Sequence, residues 1–471
     1  MINPLLTDAP LPAFGAIEAS HVEPAIRQLL DSNRAGIAAL LASGADQWDT
    51  LVVPIERMHH RLARAWSPVG HLNGVMNSDA LRAAYNACLP LLTAYHTELG
   101  QNAALCAAYQ RVADRQGPAL SPEQRKLVEN ALRDFRLAGV ALPDDRKQRF
   151  GEVMERLATA QSKFDENVLD ATNAWSRPVV DERELDGLPA NAVHRARAAA
   201  AAAGSAGWLL SLDAPTYQAV LTHAVNEPLR RAFYEAWVTP ASDRGPHAGQ
   251  WDNGPLMAEI LALRHEAANL VGFANFAEYS LATKMARDPA EVVDFLQSLA
   301  GVSRPAAERE FTELEQFAGR PLRSWDVAFY SEMLKNERLQ VSEEALRPYF
   351  PLPRVLAGLF TVVTRLYGVR IVANPSVEVY HPDVRFFDVL ERDGTPRGGF
   401  FLDLYARPKK RGGAWMDECV GRIRTAEASA LPVAYLVCNF SPGAGEQPSL
   451  LTHHEVLTLF HEFGHGLHHM L

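Results

Sequence analysis

From the N-terminus to about residue 369 the apolar positions recur at the three- and four-residue steps of helices. Ser121-Pro122-Glu123-Gln124 joins an N-cap serine, a proline at the first helical position and a glutamine three residues on. That combination predicts a capping box, and Leu127, Leu132 and Phe135 follow on its helix. Beyond Pro143, the residues Phe150, Val153, Met154, Leu157, Phe164 and Val168 make the stripe of a long amphipathic helix. The alanine-rich residues 195–203 predict a helix on propensity, stopped by Gly204-Ser205-Ala206-Gly207, and a short strand is expected over 208–212. A boundary there divides the chain into an N-terminal helical domain, residues 1–207, and a second domain, residues 208–471.

After Val369 the period shortens. Residues 377–380, 385–390 and 399–405 alternate as strands do, with Asp393-Gly394 as the turn between the last two. Residues 412–417, opened by Gly412-Gly413, are expected as a loop. Residues 432–440 form the strongest strand pattern of the chain. Read as an edge strand beside the final helix, this segment could add an extended peptide to the sheet; a core strand is the alternative reading. A loop is expected over 441–448, and the last helix should begin near Thr452. The predicted fold class is therefore mainly α, with a small β-sheet beside the last helix.

That helix carries His461-Glu462-Phe463-Gly464-His465. Four residues advance about one helical turn, so His461 and His465 project from one face and can present two imidazole nitrogens to a single metal ion. Glu462 stands beside that face, placed to act as general base on a water held by zinc, whose pKa the metal lowers toward about 7. The competing structural reading is a pair of packed histidines on an ordinary amphipathic helix. Against it, Leu459, Phe460, Phe463 and Leu467 already supply an apolar face for packing. A catalytic zinc needs three protein ligands and one open position. His468 shares the histidine face but lies about 10 Å along the axis from His461, poor geometry for three ligands from one straight helix. The third-histidine spacing of the metzincin pattern is absent, because the required positions hold His468 and Leu471. His453, His454 and His469 read as surface or helix-start residues.

Composition narrows the classes. With 471 residues, 48% hydrophobic and 22% charged, the chain can bury a large core. A formal net charge of −10, with no basic cluster longer than Arg407-Pro408-Lys409-Lys410-Arg411, argues against nucleic acid or an anionic membrane as partner. That cluster is read as a solvated turn. No apolar run reaches the roughly 18 residues of a membrane span, and the N-terminus lacks a signal-peptide pattern. Cys88, Cys106, Cys419 and Cys438 form no Cys-x-x-Cys pair, so neither a disulfide framework nor a thiolate metal site is expected. A cytoplasmic monomer is the expectation.

The sequence resembles the thimet oligopeptidase family of zinc metallopeptidases along essentially its whole length. The most specific segments are residues 404–417, residues 432–440 and Glu455-Val-Leu-Thr-Leu-Phe-His-Glu-Phe-Gly-His465, with Asn3-Pro-Leu-Leu6 and His21-Val-Glu-Pro-Ala-Ile26 near the start. The resemblance implies a mainly helical, two-lobed, zincin-like metallopeptidase whose deep channel has zinc at its floor and admits short unstructured peptides. It makes His461 and His465 zinc ligands, one zinc per chain, and Glu462 the catalytic glutamate. It assigns the third ligand to a glutamate on a later helix. Six residues follow His465, so the chain is expected to be C-terminally truncated relative to the family. Two readings follow: a zinc endopeptidase of short peptides, impaired in this form, or an inactive remnant that persists as a helical peptide-binding module.

Overall fold

A computed structural model describes residues 3–426, 429–443 and 448–471. Residues 444–447 of the loop expected over 441–448 lie outside the described residues. The chain forms two compact units, each assembled from separated stretches: Met1–Asp165, Pro255–Phe295 and Cys419–Leu431 in the first, Glu166–Gly254, Leu296–Glu418 and Pro432–Leu471 in the second. The predominance of helix expected from the sequence is borne out.

In the first unit, helices at Ala19–Ala42, Val53–Val75, Asp79–Gly100, Ala103–Gln116 and Pro122–Leu137 pack through core residues such as Ile37, Leu51, Ile55, Leu105, Val112 and Phe135. The capping box forms as the sequence predicts. Gln124 N–H donates to the Ser121 hydroxyl at 3.2 Å, and Ser121 N–H donates to the Gln124 side-chain oxygen at 2.9 Å. The long amphipathic helix runs Asp144–Ala174, and its stripe residues Phe150, Val153 and Leu157 pack against Ile260, Leu263 and Ala267. Asn3, the first residue of the described chain, caps the amide of Leu5 and donates to the His21 carbonyl at 2.8 Å. Two of the segments that carry the family resemblance therefore meet.

The second unit holds the predicted alanine-rich helix, Ala190–Ala202, and the strand Trp208–Ser211, which pairs with Ser176–Val179. Arg230 and Asp326 form a buried ion pair in this unit. Arg230, 2% exposed, donates to Asp326 at 2.8 Å and to the carbonyls of Ala224 and Val225, and its guanidinium lies over the Phe329 ring. Burial pushes the Asp326 carboxyl up, but Arg230, the Arg323 amide and Arg320 outweigh it and hold the group below its ordinary value. A lowered carboxylate stabilises the fold above its unfolded pKa, near about 3.9, and loses that contribution as pH falls through the lowered value. The Asp326 share of stability to urea should therefore be lost as pH falls below about 4, and in Asp326→Asn that low-pH drop should shrink while stability at pH 7 falls by about 3–5 kcal/mol. An unchanged pH dependence in that variant would remove Asp326 from the account.

The sheet of this unit has five strands: β1 (Arg370–Ala373), β2 (Arg385–Leu390), β3 (Pro396–Tyr405), β4 (Trp415–Val420) and β5 (Val433–Phe440), in the order β1-β2-β3-β5-β4. β1–β2 and β2–β3 are antiparallel, and β3–β5 is parallel, pairing Phe400 with Ala434 and Leu402 with Leu436. Alternate residues of β3 and β5 (Phe400, Leu402, Ala434, Leu436, Cys438) meet two helices, Leu352–Tyr367 and His453–Met470. On the opposite face Phe386, Phe401 and Tyr435 pack ring to ring.

Three expectations are corrected here. Residues 377–380 are not a strand: Asn374 turns the chain by accepting from both the amide and hydroxyl of Ser376, and the strand ends earlier, at Ala373. Residues 415–417, expected as loop, begin β4. Most consequential for function, β5 is interior, lying between β3 and β4, so residues 432–440 are the core strand and not the edge.

Candidate active site

The site helix, His453–Met470, starts where expected, with Thr452 as its cap. Glu455 N–H donates to the Thr452 hydroxyl at 3.0 Å, and Thr452 N–H donates to the Glu455 carboxylate at 2.7 Å. Burial pushes the Glu455 carboxyl up, and Arg347, which donates to the Leu450 carbonyl, stands 3.7 Å from it. One side of the helix is pressed on the sheet through Leu459, Phe463, Leu467 and Met470. Gly466 permits this approach: a Cβ there would stand 3.0 Å from a methyl of Leu436 on β5. Phe460, expected on the apolar face, is instead 38% exposed beside Leu457 at 55%.

The opposite side carries the predicted chemistry. His461 and His465 are both exposed, and their Nε2 atoms lie 3.2 Å apart with the ring planes at 82°. Without a metal, one ring can donate an N–H to the other. The same separation also suits a metal: two nitrogens each about 2.0–2.1 Å from a tetrahedral zinc stand about 3.3 Å apart. The spacing of the two nitrogens therefore suits the ion. Glu462 is only 8% exposed. Burial first, and then the nearby Glu462 carboxylate, push the Cys438 thiol on β5 above its usual value.

His468 is exposed on the histidine side, His469 stands 3.7 Å from the Glu418 carboxylate, and the His453 ring faces Phe350. Among the described residues no group of three or more His, Cys, Asp or Glu side chains is arranged to hold a metal. The structure thus brings His461, Glu462 and His465 to one turn of one helix and, among the described residues, adds no third ligand to them.

Sequence reasoning missed a second constellation beside this one. Asp403 on β3 is wholly buried. It accepts from Arg407 at 2.7 Å through each oxygen, from Lys410 at 2.8 Å and from the Tyr380 hydroxyl at 2.9 Å. The Lys410 ammonium also donates to the carbonyls of Tyr405 (2.8 Å) and Cys438 (2.7 Å), across the point where the β3–β5 register shifts. The basic run of residues 407–411 is therefore no solvated turn at Arg407 and Lys410. Burial pushes Lys410 down to about 8 against the pull of Asp403, while the two cations hold Asp403 below its ordinary value despite burial. The signal was present in the sequence as an acid flanked by Leu402 and Leu404 in an apolar strand, since a buried carboxylate requires cationic partners.

A solvent-facing His-Glu-x-x-His helix seated on a small sheet in a mainly helical chain is the architecture of a metallopeptidase. Residues 220–471 match the model of peptidase family M3, and residues 26–147 match the N-terminal domain of neurolysin and thimet oligopeptidase. The chain belongs to peptidase family M3. It is 49% identical over 479 residues to oligopeptidase A of Salmonella typhimurium and to that of Escherichia coli, in each case covering 100% of this chain and 70% of the relative. It is 38% identical over 492 residues to the organellar oligopeptidase A, chloroplastic/mitochondrial, of Arabidopsis thaliana, covering 100% of this chain and 61% of that protein. Among the described residues no helix is long and apolar enough to cross a membrane.

Proposed function

We propose that the protein is a zinc-dependent endopeptidase of short peptides. The observation that carries this reading is the pair of imidazole nitrogens 3.2 Å apart on an exposed helix face, with a carboxylate on the intervening residue. His461 and His465 would hold one zinc ion, which when bound supplies Lewis-acid activation of water and of the scissile carbonyl. The Glu462 carboxylate takes the proton from the attacking water as general base. An extended substrate would be aligned by its backbone along the outer strand β4, a role that sequence reasoning had given to residues 432–440. Residues 208–471 form the catalytic region in this reading and residues 1–207 an N-terminal helical region.

The absence of a third ligand among the described residues favours a second reading for the chain as it stands. Two imidazoles give fewer than the three protein ligands of a catalytic zinc, so zinc should bind weakly and exchange with solvent. The 471-residue chain is then nearly inactive, while a longer version that supplies the missing ligand is active. Cleavage of an unstructured decapeptide, assayed with and without added zinc and a chelator on both versions, separates the readings. The proposal expects zinc-dependent, chelator-sensitive cleavage by the longer chain and little or none by the shorter. Cleavage that survives chelation in the longer chain would refute zinc dependence, and vigorous turnover by the 471 residues alone would refute the impairment.

A further inference from the structure

The first unit contains a cavity of about 460 Å³ that the peptidase chemistry does not use. One wall is the helix Val53–Val75, which contributes Arg57, His60, Arg61 and Arg64. Arg57, Arg61 and Arg64 follow at steps of four and three, so they lie on one side of that helix. The N-terminal segment closes a second side, pinned where Arg64 donates to the carbonyl of Ala9. The third side is the short hairpin that pairs Ile423 with Ala430, and His60 bonds to its neighbour, the Gly421 carbonyl, at 3.1 Å. Leu5, Leu11, Ile17 and Ile423 are among the apolar residues of the lining.

Charge is what distinguishes this cavity. The chain as a whole is acidic, at −10, yet three arginines line the cavity against a single carboxylate, Asp8. Guanidinium groups offer paired N–H donors whose fork matches phosphate and carboxylate. The volume is that of a small-molecule site, and its mixture of apolar wall and a few charged groups is the usual composition of one.

We propose that this cavity binds a small organic anion, a phosphate or carboxylate joined to an apolar body, with Arg61 and Arg64 meeting the anion and the Leu5–Leu11–Ile17 wall meeting the body. The site is independent of the zinc helix, and its ligand is recognised whether or not the protein cleaves peptides.

Calorimetric titration of the 471-residue chain with hexyl phosphate, heptanoate and inorganic phosphate tests it. One of the two organic anions should bind with a Kd of about 1 mM or tighter, and inorganic phosphate at least about tenfold more weakly for want of the apolar contact. The tighter of hexyl phosphate and heptanoate assigns the head group. Arg61→Ala combined with Arg64→Ala should weaken binding by about tenfold or more. Asp8→Asn removes the one opposing charge and should tighten it, a gain that misfolding cannot produce. No heat from either organic anion up to about 10 mM, or binding that is the same in the arginine double variant and in Asp8→Asn, overturns the proposal.

Discussion

Glu462→Gln is expected to reduce peptide turnover by about 10²–10⁴-fold, the range a positioned general base contributes, in a form of the protein that supplies the full ligand set. Glutamine keeps the size and the hydrogen-bonding reach of the side chain but cannot accept a proton at neutral pH. The loss should therefore fall on kcat, with KM changed little, because the substrate's backbone contacts are unaltered. Zinc binding should also survive, since neither converging nitrogen belongs to Glu462. Turnover that persists in Glu462→Gln would take the proton-transfer role from this residue. Turnover and metal lost together would make it a ligand instead.

A large effect on folding is expected at Asp403. Asp403→Ala leaves Arg407 and Lys410 buried without their counter-charge and should destabilise the second unit by about 3–5 kcal/mol, the usual cost of removing one partner from a buried pair. Asp403→Asn separates charge from shape: it retains the side chain's outline and should cost nearly as much, because it is the negative charge that offsets two cations. Urea denaturation of both variants checks this, and a loss under about 1 kcal/mol in Asp403→Asn would show that hydrogen bonding alone suffices. Because Lys410 also ties the Cys438 carbonyl of β5 to β3, the damage should spread to the strand beneath Glu462.

Local signals carried the readable part of the structure. The start of the site helix, expected near Thr452, and the shared solvent side of the i, i+4 histidines were both legible, because both depend on contacts within one or two turns. Long-range pairing was what escaped. Edge and core stay open for residues 432–440 in the sequence, because which strands flank a segment is set by partners distant in sequence; the structure buries Val433 to Phe440 at nearly every position, as for a strand covered on both faces. Trp415 to Asp417 looked like loop because Gly412-Gly413 precedes them; their hydrogen bonds come from β5, which is distant in sequence. Phe460 falls on the exposed side because it precedes His461 directly, and a helix that keeps His461 and His465 in solvent cannot also turn every apolar residue inward. The burial of Lys410 is not legible in the sequence, which gives a side chain's sign but not its surroundings.

The central claim is that His461 and His465 converge on one zinc ion. Zinc titration of the 471-residue chain by competition with a chromophoric chelator tests it most directly, run beside His461→Ala, His465→Ala and Glu462→Gln. One zinc per chain is predicted, with affinity falling in each histidine variant by more than the roughly 10–100-fold that loss of an outer partner of a ligand costs, and with Glu462→Gln close to the parent. Zinc bound equally well by the parent and both histidine variants would contradict it.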